Sequence, residues 1–389
     1  MLEDFLSEKL SEIKDAGLLR RLRLISSSPA ANVTIGGKKF INFSSNNYLD
    51  LAGNKEINAA VCEAAEKYGF GGTSSRLIGG NLAIHEELEK ALAEFKSSEA
   101  ALLLPSGYQV NVGTISALAA SDKSACIIMD KLNHASIWDG AKLSGARVFV
   151  YEHCDMDSFE DVLKRAKEYK LKLAITESLF SMDGDFVPLQ DFARLCQKYD
   201  AVSIVDEAHS TGVFGKEGRG LAEHFGVSDK IDIIIGTLSK AFAAQGGFVC
   251  AKQSVIDYLV NKSRAFIYTT AVSPAICAAA LKALEIIKKS DDKRIALLNN
   301  AKYLKNKLDS LGFKTGKSLA GECRSQIVPV ITESLENTEK VSAALLKNGV
   351  FAPAIRFPTV PKGLARIRIS LTAGHAKEDI EKAITAVNS

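Results

Sequence analysis

The chain has 389 residues, 47% of them hydrophobic, and a formal net charge of +3. That is enough apolar mass for more than one domain, and a charge too near neutral to point to a nucleic acid or a membrane surface as partner. No stretch reaches the roughly 18 consecutive apolar residues of a membrane-spanning helix, and residues 1–14 lack the basic start and apolar block of a secretion signal. The seven cysteines form no C-x-x-C pair and several lie in apolar runs. They read as reduced core residues of a cytoplasmic protein, not as a disulfide framework or a zinc site.

Residues 1–25 carry an apolar stripe at Leu2, Phe5, Leu6, Leu10 and Ile13, which predicts a helix. Its basic end, Arg20-Arg21-Leu22-Arg23, reads as a solvated helix terminus or as a contact for an acidic substrate. Residues 33–43 read as a hairpin turned at Gly36-Gly37. The asparagines of Asn42-Phe43-Ser44-Ser45-Asn46-Asn47-Tyr48-Leu49 suit turn geometry. Residues 69–76 are glycine-rich, but no Gly-Lys-Ser/Thr closes them and no strand leads into them, so neither nucleotide-binding fingerprint is present. Glycines there permit close backbone approach, to a cofactor or to another subunit. His85 lies on an amphipathic helix running to Phe95. It has no second histidine at i+4, and no metal site is expected.

From residue 100 strands and helices alternate. Strands are predicted at 100–104, 125–130, 147–151, 172–176, 202–205 and 231–235, with a returning strand at 246–249. Helices are predicted at 157–169 and 189–199. This is an α/β pattern with a mainly parallel sheet, and in such sheets ligands bind beyond the carboxyl ends of the strands. That edge collects Gly107 and Tyr108 in a small-residue turn opening a helix, a ready phosphate site. It also collects His134, Asp206 and His209, and Lys240 in Gly236-Thr237-Leu238-Ser239-Lys240. Lys240 reads as a surface lysine or as an amine kept partly desolvated, able to lose its proton and bond to a carbonyl. Asp206 can keep a pyridine nitrogen protonated. Trp138 reads as a packing residue.

Helices are predicted at 274–288 and 293–311. Beyond about residue 290 the pattern becomes a smaller α+β unit, with strands near 326–331, 350–355 and 366–371 and helices near 336–347 and 377–387. The expected division is 1–45 (N-terminal helix and hairpin), 46–288 (large domain) and 289–389 (small domain). Arg366 and Arg368 alternate on one strand and face the same way. A guanidinium there can fork a carboxylate, while Arg366 reads equally as part of a solvated strand face.

The pairing of Asp206-x-x-His209 with the downstream Ser239-Lys240 resembles the fold-type I pyridoxal-phosphate enzymes, and more narrowly the α-oxoamine synthase family. That family joins an amino acid to an acyl thioester and releases carbon dioxide. The likeness runs from Asn42 to about His375, through Ser45-Asn46-Asn47-Tyr48-Leu49, His134-Ala135-Ser136 and Glu177-Ser178-Leu179-Phe180-Ser181-Met182-Asp183-Gly184. It implies an α/β, fold-type I PLP-dependent transferase: a large domain on a mainly parallel seven-stranded sheet plus a smaller α+β domain.

The resemblance implies pyridoxal 5'-phosphate (PLP) as cofactor, with Lys240, His134 and Asp206 as catalytic residues. Lys240 would carry the cofactor and act as base, His134 would stack on its ring, Asp206 would meet the ring nitrogen and His209 the ring oxygen. Gly107 and Tyr108 would hold the phosphate, with Ser181 and Thr237 as further cofactor contacts. Thr269 or Thr270 would reach across a homodimer with shared active sites to the neighbour's phosphate. Asn46 and Arg368 would take the substrate carboxylate, and Arg20 and Thr359 would be further substrate contacts. Asp50 stands where the family has glycine, and Phe357 where many members have proline. The segment Ile355-Arg356-Phe357-Pro358-Thr359-Val360-Pro361 resembles the biotin-pathway branch, which condenses L-alanine with a pimeloyl thioester, on acyl-CoA or acyl-ACP. A glycine C-acetyltransferase is the alternative. A dehydrogenase would need a glycine-rich turn after the first strand, and an empty scaffold is opposed by Lys240, Asp206 and His134 occurring together.

Overall fold

A computed structural model describes residues 1–316 and 325–389. Its strands are β1 (Asn32–Ile35), β2 (Lys38–Asn42), β3 (Ala100–Leu104), β4 (Ala125–Asp130), β5 (Arg147–Tyr151), β6 (Leu171–Glu177), β7 (Val202–Asp206), β8 (Ile233–Thr237), β9 (Gly247–Ala251), β10 (Ile327–Glu333), β11 (Val350–Phe351), β12 (Ala354–Ile355) and β13 (Ala365–Ser370). β3 to β9 form a seven-stranded sheet in the order β3-β9-β8-β7-β6-β4-β5. Pairing is parallel from β8 through β5, and β9 runs antiparallel to both β8 and β3. The expected mainly parallel α/β sheet is therefore present.

Alternate residues of these strands enter two apolar layers, one on each face. Leu102, Ile127, Ile175, Ile204, Ile235 and Val249 enter one layer, and Leu103, Ile128, Ala174, Val205, Ile234 and Phe248 the other. Burial on both faces explains why the strands read as unbroken apolar runs. The carboxyl ends of β4, β6, β7 and β8 then share one edge, where backbone pairing stops and polar side chains begin.

Two smaller sheets lie elsewhere in the chain: β1-β2-β11 and β10-β13-β12. The 33–43 hairpin forms as expected, with Gly36 and Gly37 both at positive φ. The strand predicted at 350–355 is instead two, β11 parallel to β2 and β12 antiparallel to β13. Pro353 lies between them and supplies no N–H for a continuous ladder.

The N-terminal helix spans Leu2–Asp15, shorter than predicted, and buries no residue of its chain. Its stripe at Leu2, Phe5, Leu6, Leu10 and Ile13 is exposed. Gly17, at φ 67°, turns the chain out of the helix, and the basic run 20–23 is not helical. Of the cysteines, Cys126, Cys196, Cys250 and Cys277 are buried as expected, but Cys62 is exposed and Cys154 only half-buried. Cys323 lies outside the described residues.

Candidate active site

Lys240 follows β8 by a tight turn in which Thr237 Oγ1 accepts from the Ser239 N–H and donates to Gly246 O. Its Nζ lies 2.7 Å from His209 Nε2, and His209 Nδ1 lies 2.6 Å from the Tyr48 hydroxyl. Burial pushes the Lys240 amine down to about 8, against the opposing pull of Asp206 first of all. Burial, then the charges of Lys240 and Arg368, hold His209 well below the usual histidine range, so it is neutral. A consistent set of protons has Lys240 donating to Nε2, Nδ1–H donating to Tyr48, and Tyr48 donating to Asn46 Oδ1 at 3.2 Å.

Asp206 ends β7 and is 6% exposed. One oxygen accepts from the Ala208 N–H and the other from Asn111 Nδ2, each at 2.8 Å. Asn111 also donates to Ser136 Oγ at 2.9 Å, and that hydroxyl lies 2.7 Å from His134 Nδ1. His134 caps the N-terminus of the helix Ala135–Ser144, and its ring opens onto the site. Asp206 and His134 are thus linked through Asn111 and Ser136.

Arg368, on β13, donates from Nη2 to Asn46 Oδ1 at 3.1 Å and from Nε to the Ser181 carbonyl. Arg366, two residues earlier, is no solvated strand residue. It is 1% exposed and donates to Asp183 Oδ1 at 2.6 Å and Met182 O at 3.0 Å, pinning the loop that carries Ser181. Asp50 keeps the glycine-like turn at φ 54°, its carboxylate accepting from Asn47 Nδ2.

These residues enclose two cavities that share His134, His209 and Lys240 as walls. The inner one, about 270 Å³, is lined also by Gly107, Tyr108, Glu177, Asp206 and Thr237. The outer one, about 680 Å³, is lined also by Arg20, Asn46, Ser181, Phe357, Thr359 and Arg368. Arg20 Nη2 donates to Thr359 Oγ1 at 3.3 Å across its mouth. Trp138 walls the outer cavity too, so it is more than packing. Thr269 and Thr270 line neither cavity in their own chain. Thr269 accepts weakly from Gln109 Nε2 at 3.5 Å, and the segment is held against Gly72, where a Cβ would meet Ala271 O at 2.2 Å. The close approach at Gly72 is thus to this segment of its own chain, rather than to the cofactor or second subunit expected for the 69–76 glycines.

The inner cavity fits PLP. Its floor holds the buried Asp206 carboxylate, each oxygen accepting one hydrogen bond and keeping acceptor capacity for a pyridinium N–H. At its end the helix Gly107–Ala119 presents its N-terminus, capped by Ser106, whose Oγ accepts from the Gln109 N–H. Gly107 is packed so closely that a Cβ would sit 3.3 Å from Thr237. A larger residue would fill the cradle.

Tyr48, Asn111, Ser136 and Glu177 also line or brace the candidate site, and sequence reasoning gave them no role. Glu177 is 3% exposed and accepts from the His134 N–H at 2.6 Å. Tyr48, Ser136 and Glu177 stood inside the motifs carrying the resemblance. Asn111 could have been found as a polar residue one helical turn from the Gly107 cradle. His85 is buried between the Leu82 N–H and Val272 O, a structural histidine. Among the described residues, one group of potential ligands gathers, Asp130, His153 and Cys154. The His153 ring nitrogens there are already engaged by Asp130 and Asp185 at 3.0 Å each.

Residues 38–387 match the aminotransferase class I and II family. An 8-amino-7-oxononanoate synthase of Thermoanaerobacter pseudethanolicus is 47% identical over 384 residues, covering 98% of this chain and 95% of the relative. One from Symbiobacterium thermophilum is 44% identical over 386 residues, covering 99% and 97%. Among solved structures, a serine palmitoyltransferase from S. paucimobilis with PLP and myriocin bound superposes with a TM-score of 0.91 at 31% identity, covering 99% and 96%. An 8-amino-7-oxononanoate synthase from Francisella tularensis gives 0.77 at 30% identity, covering 90% and 96%. The chain therefore belongs to the aminotransferase class I and II family, alongside the 8-amino-7-oxononanoate synthases.

Proposed function

We propose that this chain is a PLP-dependent acyltransferase that condenses L-alanine with a pimeloyl thioester, releasing the thiol and carbon dioxide to give 8-amino-7-oxononanoate for biotin biosynthesis. The observation that carries the reading is the convergence of Lys240, Asp206 and the Arg368–Asn46 pair on two cavities sharing His134, His209 and Lys240.

Bound PLP supplies an electron sink for the pair left at the alanine Cα when its proton is removed. The residues do the rest. Lys240 would hold the cofactor and, as a free amine, would take the alanine Cα proton; an amine pushed down to about 8 is suited to both tasks. Asp206 would keep the pyridine nitrogen protonated, and His134, on the wall of the same cavity, would pack against the ring. Gly107, Tyr108, Thr237 and His209, which line the inner cavity, would complete the cofactor contacts, with Ser181 reaching in from the outer one. Arg368 and Asn46 hold the substrate carboxylate. The Cα would then bond to the thioester carbonyl carbon as the C–S bond breaks and the thiolate leaves to be protonated; loss of the carboxylate as carbon dioxide returns an electron pair to Cα, where a proton takes its place. Arg20 and Thr359 sit where the acyl chain would enter.

The same reading includes a homodimer in which Thr269 or Thr270 reaches the partner's phosphate. Neither lines its own chain's cavities, and Phe70, Ile78 and Tyr268 nearby are exposed. It also includes the division into residues 1–45, 46–288 and 289–389, and a cytoplasmic location. Among the described residues no helix is long and apolar enough to cross a membrane.

Thiol release by the PLP-loaded protein tests the assignment. Turnover is expected with L-alanine and pimeloyl-CoA or the acyl carrier protein thioester. Turnover with glycine and acetyl-CoA alone would overturn the substrate while leaving the chemistry.

A further inference from the structure

Glu177 and Asp206 face each other in the parallel register of β6 and β7. Both carboxyl groups therefore leave the sheet edge side by side and line the inner cavity. Their surroundings differ. Asp206 accepts on both oxygens, from Asn111 and the Ala208 N–H. Glu177 accepts one side-chain hydrogen bond, from the His134 N–H. Two adjacent buried carboxyl groups do not both ionise readily, and the better-solvated one keeps the charge. Facing the pair are Lys240 beyond β8, His134 at the start of its helix and Asp130 at the end of β4, with His209 neutral beyond Lys240.

We propose that Glu177 is a positioning residue that works as a neutral carboxylic acid, its Oε1 fixing the His134 loop while Asp206 alone carries the negative charge beneath the cofactor. The titration of Glu177 agrees in direction: burial, then the Asp206 charge, raise it well above the usual carboxylate range, and Lys240 opposes this. Were Glu177 ionised, Lys240 would face two negative charges and hold its proton more tightly. Neutrality keeps the amine easy to deprotonate. The consequence for catalysis rests on the PLP reading; the protonation state does not.

Infrared difference spectra of the PLP-free protein at neutral pH, wild type minus E177Q, read that state directly. A protonated-carboxyl band present in wild type and lost in E177Q is expected. Loss of a carboxylate band instead would overturn the proposal. In a second arm, E177L removes the acceptor for the His134 N–H, and PLP affinity is expected to fall about tenfold, the size of one lost buried hydrogen bond. E177Q keeps an acceptor and is expected to restore most of that affinity, with the Lys240 titration still near 8. A Lys240 midpoint lowered by about one unit or more in E177Q would mean that a charge had been removed, and would overturn the neutral-acid assignment. PLP binding by E177L equal to wild type would overturn the positioning role. Thermal unfolding of both variants checks that they fold. Failure of wild type to bind PLP would sink the functional reading, while the infrared arm still decides the proton.

Discussion

Arg368 Nη2 donates to Asn46 Oδ1 at 3.1 Å, joining a C-terminal strand to an N-terminal loop 322 residues away. Under the proposed function the two residues together would grip the alanine carboxylate. Each hydrogen bond to the charged carboxylate contributes about 1.5–3 kcal/mol, and Arg368 adds the attraction of its own charge. R368A is therefore expected to raise the KM for L-alanine roughly a hundred-fold, and N46A roughly ten-fold. Steady-state kinetics at saturating thioester checks this. Equal effects, or a change confined to the thioester KM, would contradict the grip.

The Lys240 amine titrates at about 8, below its ordinary 10.5. Only the free base attacks the aldehyde of PLP, so below pH 8 the rate of cofactor uptake by PLP-free protein should rise about tenfold per pH unit. Above that it should level off. Absorbance-monitored uptake between pH 6 and 10 reads the midpoint. A rate still climbing at pH 10 would indicate an ordinary, solvated lysine.

His209 Nδ1 has the Tyr48 hydroxyl as its partner at 2.6 Å, and Tyr48 is fully buried. Burial raises the phenol's pKa, so it keeps its proton for Asn46. Y48F leaves a buried imidazole N–H without an acceptor, at a cost of about 1–3 kcal/mol. Urea denaturation should show that loss. The alanine KM should rise too, because Asn46 loses a donor that orients it.

Much of this site was legible from the chain. Strand alternation placed Lys240, Asp206, His134 and Gly107 on one sheet edge, since each lies where an apolar run stops. The links among them were not legible. The Glu177 contact to His134 depends on the register of β6 against β7 and on the path of the loop after β4. Arg366 looked like its neighbour Arg368, because strand alternation gives both the same face. What separates them is Asp183, which arrives from a loop more than a hundred residues away. The N-terminal stripe has helical spacing, but periodicity carries no information about what covers it. The break at Pro353 was visible as a residue, though not as a switch between two sheets.

Arg366 and Asp183 make a further test. The arginine is 1% exposed and the carboxylate 28%. Removing Asp183 strands a buried cation, though Met182 O and Leu364 O still accept from it. D183A is expected to cost about 2–3 kcal/mol, below the full range for a completely buried pair. R366M, which removes the charge and fills the space, should cost less than D183A. Chemical denaturation of both variants checks the order. The reverse order would mean that the guanidinium's carbonyl contacts, not the ion pair, hold the loop carrying Ser181.

His153 makes the stability of the site's other side depend on pH. Burial pulls its pKa down, but hydrogen bonds to Asp130 and Asp185 outweigh that and push it up to about 12. Asp130 also accepts from the Leu132 N–H, before His134, and Asp185 closes the loop carrying Ser181. A protonated His153 therefore ties those two loops together. Its folded pKa lies above the unfolded value of 6.5, so the unfolded chain releases its proton first as pH rises. The stabilisation is full below pH 6.5 and declines steadily toward pH 12. H153N should lower the unfolding temperature more at pH 6 than at pH 9, when each is compared with wild type at the same pH. An equal deficit at both would make His153 a packing residue whose charge contributes nothing.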